Sequence, residues 1–168
     1  KVNKDFINKI ITRKNGDHLV LARNAVYTIQ KQTYRVMPAL FDGATYNTIG
    51  ALEDSDSSLW FYSNKGIVHT DANFNFPSAD TSYKARDVVW CMVLQKDNLL
   101  WAGSTGLEEV WMEKGQIKKR RILPQLADQR IFLLFRDKAG NTWIGAENGL
   151  YRYLSQEQRL EWFNVTDQ

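Results

Sequence analysis

The chain predicts an all-β fold built of β-propeller blades, on three observations. Trp60, Trp101 and Trp143 stand 41 and 42 residues apart. The residues around each of them repeat, and the intervening runs alternate or are wholly apolar over five or six residues. That is a strand signature, unlike the three-and-four spacing of helical repeats. A period near 41 residues, filled with short apolar runs and turn residues, belongs to propeller blades of four antiparallel strands each. Four copies fill 1–168 as a single propeller region, with blades at about 6–37, 48–77, 88–123 and 130–165.

The elements follow in order. The first copy predicts strands at 6–12, 18–22, 25–30 and 33–37, with Leu19 in the place of the repeated Trp. The second gives 48–53, 58–63 and 67–70, and a weak outer strand around 74–76, where Pro77 removes a ladder donor. The third gives 88–94, 99–104, 107–113 and 117–123, and the fourth 130–136, 142–146, 150–154 and 159–165. Turn chemistry agrees. Asn15-Gly16, Asp56-Ser57, Asp97-Asn98 and Ala139-Gly140 separate first from second strands. Lys65-Gly66, Thr105-Gly106 and Asn148-Gly149 separate second from third. Most of these residues tolerate positive φ in a tight hairpin, Ser57 and Ala25 being the departures.

The repeated Trp lies on the second strand, where its ring fills the gap between neighbouring blades. Burying it removes about 200 Å² from water, roughly 5 kcal/mol gross at about 25 cal/mol per Å². Trp60, Trp101 and Trp143, with the turn glycines Gly66, Gly106 and Gly149, therefore read as the structural core of the repeat rather than as ligand platforms.

Composition narrows the function. The 168 residues are 43% hydrophobic and 24% charged, and no run of 18 apolar residues is long enough to span a membrane. The single cysteine, Cys91, forms no intrachain disulfide and fits no zinc-finger or thioredoxin spacing. Without an initiator Met, the chain reads as an excised piece of something longer or a mature fragment. Its net charge of +3 is spread over 22 basic and 19 acidic residues. The one concentrated run, Lys118-Lys119-Arg120-Arg121, falls on a predicted outermost strand, where charge deters edge pairing. It carries no interleaved aromatics for base stacking, so no nucleic-acid partner is expected.

Catalytic and metal signatures are equally sparse. Neither His18 nor His69 has an acidic residue at ligand spacing, and no nucleophile elbow, phosphate loop or dinucleotide fingerprint is present. Glu108 and Glu109 alternate across a strand and face opposite sides. No cofactor, no metal and no catalytic residue is expected.

The repeat itself resembles a known family. The pattern Asp-x-x-Gly-x-x-Trp-Ile-Gly-x-x-x-Gly-Leu-Tyr-x-Tyr is similar to that of two-component regulator propellers, the ligand-sensing propellers of large bacterial signalling receptors. Asp137, Gly140, Trp143, Ile144, Gly145, Gly149, Leu150, Tyr151 and Tyr153 all fall in register. Trp101, Gly103, Gly106 and Leu107 match in the third copy, with Gln95 and Asn98 for the Asp and first Gly. In the second, Asp54, Trp60 and Gly66 match. The first keeps Gly16 and Tyr27 but has Arg13, Leu19, Leu21 and Ala25 elsewhere.

The resemblance implies a periplasmic sensor region joined, through further receptor domains and a membrane helix, to a histidine kinase, response-regulator output or diguanylate cyclase. The segment itself makes no membrane contact. The alternatives are a protein-binding scaffold propeller and a fragment of a propeller enzyme. Four blades are fewer than the family's usual seven, leaving an open arc, a closed four-bladed ring, or a larger ring completed by a second copy. An arc that self-associates through exposed blade faces is favoured, because small rings are commonly pinned by a disulfide.

Propeller geometry places a ligand, a small molecule or oligosaccharide, at one mouth of the channel. There the loops before the innermost strands supply Tyr46, Asn47, Arg86, Asp87, Gln129 and Arg130. The loops between second and third strands supply Asn64, Thr105, Glu147 and Asn148. Arg86 and Arg130 suit an anionic group, while Tyr46 or Trp90 suits a sugar ring. Tyr46, Asn47, Arg86, Trp90, Arg130 and Glu147 are thus the candidate ligand residues, each with the plainer alternative of a solvated loop or packing residue.

Overall fold

The computed structural model describes residues 6–23, 25–30, 33–37, 47–75, 82–84, 88–96 and 99–163. Among the described residues sixteen strands form four antiparallel sheets, each a meander of four. The first is β1 (Ile7–Thr12), β2 (His18–Ala22), β3 (Val26–Gln30) and β4 (Thr33–Val36). The second is β5 (Thr48–Glu53), β6 (Leu59–Ser63), β7 (Gly66–Thr70) and β8 (Ser82–Lys84). The third is β9 (Cys91–Lys96), β10 (Leu99–Ser104), β11 (Gly106–Glu113) and β12 (Gln116–Ile122). A 3-10 turn over Pro124–Leu126 leads to the fourth: β13 (Ile131–Arg136), β14 (Thr142–Ala146), β15 (Gly149–Leu154) and β16 (Arg159–Phe163). This is an all-β fold of four-stranded propeller blades, and no described helix is long and apolar enough to cross a membrane.

Two corrections to the sequence reading have local causes. The outer strand of the second sheet is β8, not 74–76. The Asp71 carboxylate accepts the backbone N–H groups of Asn73 and Asn75, both at 2.8 Å, and Phe74 sits at φ 69°. A chain held in that Asx turn cannot run extended, and the described outer strand is Ser82–Lys84. Phe76 and Pro77 lie outside the described residues. In the third copy, β9 begins at Cys91 rather than Val88, since Val89 and Trp90 each make an isolated backbone bond, to Ser63 and Gly103.

Three of the hairpins joining first to second strands share one turn. Arg13 and Asp17, Asp54 and Ser58, and Asp137 and Asn141 close it with the same N–H to C=O bond at 2.8–2.9 Å, and Gly16, Ser57 and Gly140 bond back to its first residue. Those three residues sit at φ 88°, 68° and 84°. Ser57 therefore accepts a left-handed conformation that glycine adopts without strain.

The chain divides into two compact units, residues 1–89 with 113–117, and residues 90–112 with 118–168. In the first, Leu19, Leu21 and Val26 of the first sheet pack on Ala51, Leu59, Phe61 and Val68 of the second. In the second unit, Cys91, Trp101 and Leu107 of the third sheet pack on Ile131, Leu134, Ile144 and Tyr151 of the fourth. Trp60 and Trp101 are buried, at 0% and 7% exposure, and Trp101 meets Tyr153 with ring centroids 5.1 Å apart. Trp143 is only half-buried. It stacks on Phe163 at 5.5 Å beneath the Arg152 guanidinium, and its Nε1–H donates to Asp137 at 3.1 Å.

Gly66, Gly106 and Gly149 open the third strands at φ 130°, 83° and 142°. A Cβ on Gly149 would lie 2.9 Å from Trp162 Nε1, and one on Gly106 3.0 Å from the Ala127 carbonyl oxygen. Conformation and space both require glycine there.

The basic run lies on β12, as the sequence suggests, but it is paired. Lys119 meets Glu108 at 3.1 Å, and Arg120 donates to Glu109 at 2.6 Å, one on each face of the sheet.

Candidate functional site

The candidate ligand residues divide between the two units. Tyr46, Arg86 and Asp87 lie outside the described residues. In the first unit Asn47 is committed to the scaffold. Its N–H donates to Asn64 Oδ1 at 2.7 Å, its carbonyl accepts the Asn64 N–H at 3.3 Å, and its side-chain oxygen accepts Asn8 Nδ2 at 2.6 Å. Asn8 also donates to the Thr48 carbonyl, so this group ties β1 to the start of β5.

In the second unit Trp90, Arg130 and Glu147 mark the approach to the inner strands. Trp90 is held by its N–H to the Gly103 carbonyl at 2.9 Å, while its ring is 42% exposed. It meets Phe132 edge-to-face at 6.1 Å, and Phe132 is 47% exposed. Phe132 is a residue the repeat pattern does not single out. Strict alternation would put Phe132 on the face of buried Leu134, so its exposure follows from the register shift between Ile131 and Leu133, which the sequence does not announce.

Arg130 and Glu147 are fixed through their backbones. Glu147 N–H donates to the Arg130 carbonyl at 2.9 Å, and Thr105 bridges Arg130. Their side chains approach only to 3.9 Å with 62% and 54% exposure, a loose pair that water screens. Asn148 accepts the Tyr151 hydroxyl at 3.0 Å, and the Gln129 carbonyl accepts the Gly106 N–H. This candidate ledge thus consists of two exposed aromatic rings in mutual contact and, two residues before Phe132 in the chain, a loosely paired Arg130 and Glu147.

A second feature, unread in the sequence, is a cavity of about 250 Å³ in the first unit. It is lined by Arg13, Asp17, Thr28, Gln30, Tyr34, Arg35 and Phe74 among others, at the end of the sheet bearing the β1–β2 hairpin. Arg13 is 6% exposed and fully engaged. It reaches Glu53 from Nε and Nη2 at 3.3 and 3.2 Å, the Ala72 carbonyl from Nη1 and the Ser57 carbonyl from Nη2, and lies over Phe74 at 5.1 Å. Asp17 accepts Asn15 and Gln30, both at 2.9 Å. The Thr28 hydroxyl, on a residue 5% exposed, has no protein partner. The only hint in the sequence was Arg13, a cation where the repeat has an acid.

Buried titratable groups are few. His69 packs tilted at 48° against Trp60, ring centroids 4.4 Å apart, with neither ring nitrogen bonded. Burial pushes it below the ordinary histidine value, against the pull of Asp56, Asp54 and Asp71. Burial raises the Cys91 thiol to about 12, and its Sγ lies 3.6 Å from the Ile131 carbonyl. Among the described residues no three His, Cys, Asp or Glu side chains gather as a metal site.

No protein-family model and no curated protein sequence matches the chain. Solved structures do, at low identity. The extracellular domain of BT4673 from B. thetaiotaomicron, a candidate one-component or hybrid two-component system, matches 99% of the chain at 16% identity with a TM-score of 0.75. The chain spans 23% of that structure. The extracellular domain of BT3049 from the same organism, also a candidate hybrid two-component system, matches 93% of the chain at 12% identity and TM-score 0.54, the chain spanning 29% of it. Virginiamycin B lyase from Staphylococcus aureus matches 95% at 17% identity and TM-score 0.67, with 55% of the lyase covered. The fold is therefore one shared by extracellular receptor domains and by an enzyme. The repeat's resemblance to two-component regulator propellers is matched in fold by BT4673 and BT3049.

Proposed function

We propose that this chain is a non-catalytic sensor segment of a bacterial signal-transduction receptor, lying outside the cytoplasm and binding a small molecule or oligosaccharide. The observation that supports this best is the coincidence of fold with repeat. The chain has the fold of the BT4673 extracellular domain over nearly its whole length, and its fourth sheet carries the complete receptor-type pattern, with Asp137 bonded to Trp143. Fold alone hosts many functions, and the ledge supplies candidate contacts for a ligand. Trp90 and Phe132 present exposed rings to the apolar face of a sugar or other flat ligand. Arg130 and Glu147, barely paired, reorient to its polar groups without breaking a strong bond. Ligand binding there biases the packing of the inner strands, and the remaining receptor domains read the change.

A thermal-shift screen against oligosaccharides and organic acids tests this. A ligand at one hundred times its Kd is expected to stabilise the chain by about 2.7 kcal/mol. The gain should vanish in the double variant Trp90→Ala, Phe132→Ala. A gain that persists there but vanishes in Arg35→Ala relocates the ligand to the first-unit cavity. No gain with any compound refutes the sensor reading in favour of a protein-binding scaffold.

A further inference from the structure

The third and fourth sheets carry an ion pair at the same point of the repeat. Across from Trp101 stands Glu109, and across from Trp143 stands Arg152. Residues directly opposite share a face of the sheet. Each is answered from the outermost strand. Arg120 donates to Glu109 at 2.6 Å, and Glu161 accepts from Arg152 Nη2 and Nε at 2.6 and 2.9 Å. The polarity reverses between the two sheets, but the pair persists. In the second sheet the position falls to His69, whose outer-strand partner lies outside the described residues.

The first sheet breaks the pattern. Thr28 stands across from Leu19, and Arg35 across from Thr28. The cation is present without its acid. Arg35 is exposed and has no ion pair or hydrogen bond among the described residues, and the Thr28 hydroxyl is buried without a partner. The cavity of about 250 Å³ opens at this point, with both residues in its lining. It lies on the face where Leu19 packs against the second sheet, and its far wall is Asn73 and Phe74, in the turn after β7. Its walls are therefore internal to the chain. Arg13 in the lining is already neutralised by Glu53, which leaves Arg35 as the cation with charge to offer.

We propose that this cavity binds a small hydroxylated carboxylate, whose carboxyl group supplies the acid missing opposite Arg35. The fork of N–H donors on arginine suits a carboxylate better than a neutral oxygen. Asp17 accepts hydrogen bonds, and the amides of Gln30 and Asn73 both donate and accept, which suits a chain of hydroxyls. The volume falls below the roughly 300 Å³ at which drug-sized sites begin, so the ligand is small. The site shares no residue with the Trp90 ledge and stands or falls separately from it.

Ligand-observed saturation-transfer NMR with lactate, tartrate and gluconate tests it, with sorbitol as the gluconate chain lacking a carboxylate. At least one of the three acids is expected to bind saturably, and sorbitol is not. Arg35→Ala should weaken that acid about ten- to a hundredfold, the range for losing a charged hydrogen bond. Thr28→Glu restores within the chain the acid the other sheets possess, and should exclude the ligand without lowering Tm. If circular dichroism shows Thr28→Glu unfolded, the exposed Arg35→Ala site decides alone. The double variant Trp90→Ala, Phe132→Ala should bind the acid as the wild type does. Loss of binding there assigns the acid to the ledge and overturns the cavity site. No saturable binding by any of the acids, equal binding of sorbitol, or full affinity in Arg35→Ala also overturns it.

Discussion

The two units tie their sheets together with the same bridge built in opposite polarity. In the first unit the hairpin after β1 supplies the cation, and Arg13 reaches Glu53 at the end of β5. In the second unit the corresponding hairpin residue is Gln95, whose carbonyl accepts a hydrogen bond from Arg136 at the end of β13. Glu53 and Arg136 hold equivalent positions, one residue before the aspartates Asp54 and Asp137. The first bridge is an ion pair with side chains 5% and 9% exposed, and Lys14 N–H adds a 2.6 Å bond to the same carboxylate. The second joins an exposed guanidinium to a neutral carbonyl, with Gln95 Nε2 also donating to Thr142 at 3.0 Å. The repeat fixes where a bridge forms. Burial decides how much depends on it.

The largest expected effect follows from breaking the first bridge on one side. Arg13→Leu strands the Glu53 carboxylate in a nearly dry site and should cost about 3–5 kcal/mol in urea unfolding, whereas the double variant Arg13→Leu, Glu53→Leu should recover most of that loss. Arg136→Leu, by contrast, should cost under about 1.5 kcal/mol, since its carbonyl partner can turn to water. Equal costs for the two single variants would break the comparison.

The repeated Trp sharpens the same contrast between covered and open faces. Trp101→Ala should cost about 3–5 kcal/mol, the range for emptying a large aromatic site in a core. Trp143→Ala should cost clearly less in the isolated chain, because its face is partly open to water already.

The smallest effects are in pH. Burial lowers His69, so below about pH 6.5 the unfolded chain binds the proton first and stability falls with pH. His69→Phe should flatten the curve in that window. At lower pH the aspartates dominate. Asp56 is lowered chiefly by the Ser58 side chain and Asp71 by the Asn75 N–H. Asp137 is lowered as the bonds from Asn141 and Trp143 outweigh its desolvation. Their stabilisation is present above the ordinary carboxylate value and is lost as pH falls through the lowered ones.

Much of this architecture was legible because it is periodic. The Trp spacing and the Gly turns placed every sheet, since tight hairpins and a two-residue strand period leave little choice of register. What failed was local. The Asp71-to-Asn75 turn overrode an aromatic run that reads as a strand, because two side-chain bonds outweigh a weak β-propensity. The candidate residues were legible only in position: Arg130, Glu147 and Trp90 lie exposed near the inner strands as topology suggests, Asn47 bonds Asn8 and Asn64, and Phe132 and the Arg13 cavity depend on contacts between distant strands.

Cys91 gives the molecule a built-in clock. It is the single thiol of the chain, sealed between the third and fourth sheets and held protonated by burial. Only a thiolate attacks an alkylating reagent at a useful rate, so the folded chain should resist maleimide for as long as those sheets remain together. The labelling rate then counts partings of one particular sheet pair, read by a mass change on a single residue.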